Sequence, residues 1–217
     1  VNPAGHLQTT SAPDVTLLWL ADADTLDDAG LARITGWLGA SERHRCERFV
    51  RPLRRRQFLV GRALLRRMLA RLLGLAPGDV ALRERPCAAP ELVGADLPAV
   101  GFSISHSGSW VACAASLHSP VGLDIERIDA ARDVVALAEQ AFDPATAAAV
   151  RACTGEARLH MFYRNWCLYE AGIKLGQASA ADHVHMQSGL MLALRCARPL
   201  EVAPRIERVE PGVDDDG

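Results

Sequence analysis

The chain is expected to adopt an α+β fold, on three observations. Strand-like runs and amphipathic helical stretches are both present, they do not alternate strictly, and three of the strands crowd together in the middle of the sequence. With 217 residues, 49% of them hydrophobic and 23% charged, the chain can bury a substantial core, which excludes disordered and collagen-like classes. No apolar run approaches the ~18–20 residues that a bilayer span requires, and residues 1–11 lack the charged-then-apolar pattern of a secretory leader. A soluble, cytoplasmic protein that engages no membrane is expected. The six cysteines (Cys46, Cys87, Cys113, Cys153, Cys167, Cys196) contain no CxxC pair, so they read as small buried hydrophobes of a reducing compartment.

In chain order, residues 15–20 form a short apolar run expected as a strand, followed by a helix carrying Leu31, Ile34 and Leu38. Across residues 53–73, Phe58, Leu65, Leu69 and Leu72 recur at helical spacing. Arg55, Arg62, Arg66 and Arg67 lie off that seam and Gly74 supplies a stop, which predicts a basic amphipathic helix. Residues 76–96 are rich in Pro, Gly and Ala and read as a loop with one strand at 80–82. Strands are expected at 100–105, 110–117 and 121–125, with the breaks at 106–109 and 118–120 suited to tight antiparallel connections. Helices at 130–141 and 159–175, strands at 190–196 and 202–209, and a frayed acidic tail at 214–216 complete the pattern. Each half offers a central helix and a few strands without a detectable sequence repeat.

Charge is informative once mapped. The chain carries 24 basic and 26 acidic side chains for a net charge of −2, yet residues 43–71 hold eleven arginines against the single acid Glu47. Such an imbalance suits a landing surface for an anion: a phosphorylated small molecule, a nucleic acid or an acidic protein. A solvated helix face is the plainer explanation, since the arginine stem also covers apolar surface. Lys174 is the only lysine, a compact ammonium that a planar guanidinium does not reproduce.

Strict alternation in Val121-Gly122-Leu123-Asp124-Ile125-Glu126 puts Val121, Leu123 and Ile125 on one side and Gly122, Asp124 and Glu126 on the other. Two carboxylates side by side repel unless a positive charge intervenes, and a hard cation held by oxygens meets that need, with Gly122 leaving room beside them. An acidic strand end in water is the alternative. Further along, Glu170 and Lys174 stand four apart on one helix face, an arrangement that an ordinary exposed salt bridge also explains. Gly172 inside that helix costs ~1 kcal/mol relative to alanine, which points to a close neighbour. The stretch Phe102-Ser103-Ile104-Ser105-His106-Ser107-Gly108-Ser109-Trp110 sets hydroxyls, an imidazole and a glycine at a turn, where they can hold a phosphate. No GxSxG nucleophile motif is present.

The succession FSISHSGSW, VGLDIERI and, some forty residues on, WCLYEAGIK resembles the three signatures of the surfactin-type 4'-phosphopantetheinyl transferases in order and spacing. The upstream RRRQFLVGRALLRRML and ERP resemble the same family's arginine-bearing helix and Gly-Arg/Lys-Pro turn, so the resemblance covers roughly residues 40–176. It implies a pseudo-twofold pair of similar α+β halves, 1–118 and 119–217, with coenzyme A in the cleft between them. It also implies Mg2+ on the coenzyme's pyrophosphate, a carrier-protein serine as acceptor, and a monomer. By the same resemblance Asp124, Glu126 and Glu170 match the metal carboxylates, and Lys174 the lysine near the pyrophosphate. Ser105 and His106 match the turn that contacts a coenzyme A phosphate, and Arg62 and Arg85 match basic coenzyme-binding positions. Glu170, or a water that it orients, is implied as acceptor of the serine proton.

Three departures stand out. Tyr169 replaces a usual lysine, Glu84 replaces a usual glycine before Arg85, and Gly176-Gln177-Ala178-Ser179-Ala180 replaces a Gly-x-Gly-Leu segment. They point at rate and substrate choice more than at metal binding, and they motivate an alternative in which the chain captures coenzyme A with weak or no transfer. A nucleic-acid binder is disfavoured, because no recognition motif is present and aromatics for base stacking are few.

Overall fold

The computed structural model describes residues 15–86 and 88–212; Cys87, segment 1–11 and the acidic stretch 214–216 considered above lie outside the described residues. The elements in order are β1 (Thr16–Asp22), α1 (Asp28–Trp37), α2 (Ala40–Glu47), α3 (Pro52–Leu73), β2 (Ala81–Arg83), β3 (Glu91–Val93), β4 (Gly101–Ser107), β5 (Trp110–Ser116) and β6 (Val121–Arg127). Then come α4 (Val134–Ala141), α5 (Pro144–Ala152), α6 (Gly155–Leu175), β7 (Ala181–Gln187), β8 (Leu190–Cys196) and β9 (Ile206–Arg208). The mixed α+β class is as expected. One sheet has the order β4-β5-β1-β9, another β6-β8-β7, and β2 and β3 form a separate hairpin.

The two main sheets repeat one plan. A first strand, a long helix and an antiparallel hairpin build β4-β5-β1 around α3, and the same succession builds β7-β8-β6 around α6. Four layers result. Helix α3 buries Leu64, Leu65, Met68 and Leu69 against Trp19, Val111 and Cys113 on one face of the first sheet. The other face presents Leu18, Leu20, Ala112 and Ala114 to Leu123, Ile125, Leu192 and Leu194 of the second sheet. Behind that sheet, Ala193 and Met191 meet Phe162, Cys167 and Ala171 of α6. Proline at the first position and Gly74 in a left-handed conformation (φ 68°) bound α3.

Several boundaries differ from expectation for identifiable reasons. The hairpin turn joining β4 and β5 is only Gly108-Ser109, with Ser107 opposite Trp110, so His106 lies on the strand and not in the turn. The break at 118–120 is no hairpin, since it carries the chain to β6 in the other sheet. Leu38 and Gly39 divide the first helix in two. Strand β3, helix α5 and strand β7 were not foreseen. Helix α5 was legible from Asp143, whose carboxylate caps the amides of Ala145 and Thr146, and from Pro144 after it. The basic helix is not a solvated face: Arg62, Arg66 and Arg67 of α3 are buried with the apolar residues.

Helix α6 lies against β6 with its backbone almost touching Gly122. A Cβ placed there would fall 2.0 Å from the Ala171 carbonyl oxygen and 2.6 Å from the Leu175 nitrogen, so the space beside the carboxylates is filled by helix. Gly122→Ala is therefore expected to push α6 off β6 and destabilise the chain by about 2 kcal/mol or more, read as a lowered urea midpoint.

Candidate functional site

Strand β6 is an edge strand, and the amides of Leu123, Ile125 and Arg127 point away from β8 toward β4. Alternate serines of β4 meet them. The Ser103 hydroxyl accepts from Leu123 N–H (3.0 Å), that of Ser105 from Ile125 N–H (3.4 Å), and that of Ser107 from Arg127 N–H (3.0 Å). The two strands run in the same direction with a constant separation of 20 residues, joined by side-chain rungs in place of a backbone ladder.

The acidic pair stands at this seam. Asp124 is 5% exposed. Its Oδ1 accepts from Lys174 Nζ and from the Ser105 hydroxyl, each at 2.8 Å. Lys174 also donates to Ser105 (2.8 Å) and to the Leu123 carbonyl (2.9 Å), which uses all three of its protons. Ser105 is saturated as well, donating once and accepting from Lys174 and Ile125. The second oxygen of Asp124, Oδ2, is buried without a hydrogen-bond partner. Beside it, Glu126 Oε2 accepts from the Ser107 hydroxyl at 2.7 Å. Burial, and then the charge of Asp124, push the Glu126 carboxyl above the usual carboxylate range against the pull of Ser107. Cys167 lies against the same carboxylates, and burial drives its thiol far up, so it is an inert neighbour.

The other expected residues fall at varied distances from this pair. Glu170 sits half-buried one turn before Lys174 on α6. Among the described residues no three His, Cys, Asp or Glu side chains stand close enough to hold a metal ion by themselves, so Glu170 does not complete a ready-made cluster with Asp124 and Glu126. Two carboxylates with an orphaned buried oxygen nevertheless fit magnesium, which is commonly held by one or two carboxylates while substrate phosphates and water complete its shell.

His106 stands at the rim of the seam, with Arg54 Nη1 3.0 Å from both ring nitrogens. Desolvation and the Arg54 charge hold its imidazole below the usual histidine range. Arg85 is exposed and lines a cavity of about 450 Å³ with Pro90, Leu97 and Phe102. Gly172 lies under the Arg195 side chain, whose guanidinium would stand 2.8 Å from a Cβ placed there and can swing aside, so neither backbone nor an immovable group requires the glycine.

Arg62 is already engaged. It pairs with Glu84 and, at 3.3 Å, with Glu42, and it lies 4.8 Å over the Phe58 ring. Glu42, fully buried, also binds Arg66, while Glu84 also binds Arg45. Part of the positive charge counted in the sequence is thus neutralised inside the molecule. Arg43, Arg48, Arg51 and Arg55 remain at the surface. The roles of Glu42, Ser103 and Ser107 were not singled out from sequence; the S-x-S-x-S alternation was the available signal.

The Asp124–Lys174 pair, with Glu126 beside it, stands at the joint of the two main sheets. Family models match both parts of the chain that meet there. The model for the 4'-phosphopantetheinyl transferase N-terminal region matches residues 27–118, and that for the 4'-phosphopantetheinyl transferase superfamily matches residues 120–199. The chain is 28% identical to the 4'-phosphopantetheinyl transferase HetI of a Nostoc species over 222 residues, covering 97% of this chain and 90% of that one. It is 28% identical to Sfp of Bacillus subtilis over 142 residues (65% and 61%) and 33% identical to AcpT of Escherichia coli over 135 residues (62% and 65%). The chain belongs to the 4'-phosphopantetheinyl transferase superfamily. No helix among the described residues is long and apolar enough to cross a membrane.

Two outcomes follow from the seam. Lys174→Met should leave Asp124 as a buried charge without its cation and cost about 2–3 kcal/mol in urea denaturation, below the range for fully buried pairs because the Lys174 side chain is 31% exposed. Adding Asp124→Asn should return most of the loss. The second concerns pH. His106 and His185 both titrate below the usual 6.5 in the folded chain, so below that pH the unfolded chain binds more protons and the native state loses stability. The melting temperature should therefore fall on acidification below about pH 6.5, and fall less in a His106→Gln, His185→Gln chain.

Proposed function

We propose that this chain transfers the 4'-phosphopantetheine arm of coenzyme A to a serine of an acyl or peptidyl carrier protein, releasing 3',5'-ADP, and that within its superfamily it is a surfactin-type enzyme. The observation that carries this reading is the buried Asp124, with one oxygen held by the lone lysine and the other unpartnered, next to the desolvated Glu126. Buried negative charge in excess of its fixed partner suits a site that gains a cation together with its substrate. The surfactin-type assignment rests on the order and spacing of the three signatures, since identity to Sfp is no higher than to HetI.

Asp124 through Oδ2 and Glu126 would hold Mg2+, with Glu170 as the third carboxylate of the motif. When bound, the ion would offset the diphosphate's charge as the bond to the β-phosphorus is exchanged. Lys174 fixes Asp124 and lends positive charge beside the diphosphate. Glu170 accepts the proton of the incoming serine, directly or through a water, from its place one turn before Lys174. His106, neutral and backed by Arg54, is the phosphate contact at the rim. The saturated Ser105 holds the strand that carries it. Arg85 lines the coenzyme's cavity, and Arg62 acts on it through Glu84. The halves 1–118 and 119–217 supply opposite walls of the cleft, and a cytoplasmic monomer is the working form.

A second reading, capture of coenzyme A with weak or no transfer, is the alternative that the Tyr169 and Glu84 departures raise. Incubation with coenzyme A, Mg2+ and an apo carrier protein decides between them, with the carrier's mass as readout. A phosphopantetheine adduct is expected. It should disappear with chelator and fall at least about 100-fold in Asp124→Ala and Glu170→Ala chains that retain their circular dichroism. Coenzyme A binding without an adduct would favour capture.

A further inference from the structure

The inference concerns Ser107 and rests on the proposal that Asp124 and Glu126 face a divalent cation. Ser103, Ser105 and Ser107 do the same structural work, each accepting one backbone amide of β6. They differ in where the hydroxyl proton goes. Ser105 gives its proton to Asp124, which Lys174 also grips. Ser107 gives its proton to Glu126 Oε2 at 2.7 Å, the only hydrogen bond to that carboxylate among the described residues. Among the described residues Ser103 engages the Leu123 amide alone.

Among the described residues Glu126 therefore has no cation bonded to it. Arg132 and Lys174 act on it only at a distance. A half-buried carboxylate on a flexible stem needs something to choose its rotamer, and among the described residues the Ser107 hydroxyl is the one group hydrogen-bonded to it. We propose that Ser107 is a positioning residue: through Oε2 it fixes the Glu126 carboxylate and leaves Oε1 free to ligate the divalent cation beside Asp124. Because its lone pair is pinned by the Arg127 amide, the direction of its O–H is set by the seam between the two halves. The register of β4 against β6 thus becomes the geometry of the ligand.

The test compares two rungs of the same ladder. Mn2+ binding is measured by electron paramagnetic resonance with coenzyme A present, alongside the melting temperature, for the wild-type chain, Ser107→Ala, Ser107→Thr and Ser103→Ala. Ser107→Ala should weaken Mn2+ binding about tenfold or more, the usual cost of losing a group that orients a metal ligand. Ser107→Thr, which keeps the hydroxyl, should stay within about threefold of wild type. Ser103→Ala loses an equivalent amide partner and should lower the melting temperature with unchanged Mn2+ affinity. If Ser107→Ala does not fold, Ser107→Cys, which keeps the volume but donates weakly, takes its place with the same expected direction. Undiminished binding in the Ser107 variants overturns the proposal, as does equal weakening in Ser103→Ala. A wild-type chain that transfers phosphopantetheine without binding Mn2+ also overturns it. One that neither binds nor transfers overturns the functional reading itself.

Discussion

An edge strand whose outward amides face another sheet must find acceptors for them, and here β6 finds them in the hydroxyls of β4. That exchange carries more than cohesion. A backbone ladder would have merged the two sheets and used both edges completely. Serine rungs satisfy the amides while keeping a proton on each hydroxyl for another acceptor, and two of the three protons go to the carboxylates of β6. One set of small side chains joins the halves and sets the direction of the acidic groups.

The same joint depends on how closely α6 can approach. Only a glycine at position 122 lets the helix backbone rest on β6, and that contact brings Lys174 within reach of Asp124, Ser105 and the Leu123 carbonyl together. The lysine's three protons are divided between the halves, since Ser105 belongs to β4 and the other two acceptors to β6. Its charge is therefore both a counterweight to Asp124 and a clamp across the seam. On the far side of the first sheet, Glu42 and Glu84 perform the converse task, holding Arg62 and Arg66 of α3 in an interior where unpaired guanidinium groups would be costly.

The alternation around Asp124 and Glu126 placed both carboxylates on one face of β6, and the spacing of Glu170 and Lys174 placed them one turn apart on α6, because strand and helix periods translate directly into faces. The α+β class and the two long helices were legible for the same reason. What pattern could not reach was partnership across long separations. Nothing local distinguishes Arg62, buried against Glu42 and Glu84, from Arg55 at the surface. Strand β7, with Asp182, His183 and His185, lacks the apolar alternation of a half-buried strand because it lies at a sheet edge. Ser107 looked like turn chemistry because two of the four positions of the expected break, 106 and 107, are strand, while Ser103 sat on an expected strand with no local sign of its partner.

The short strand β9 has a consequence for the symmetry of the molecule. It lies parallel along β1, on the edge that corresponds to the edge β6 offers to β4. Strand β7, the counterpart of β4, carries His183, His185 and Gln187 at the register positions of the three serines. A chain folded on one plan twice over is thereby left with one working joint and one sealed joint. The duplication thus leaves a single asymmetric seam of serine rungs between β4 and β6.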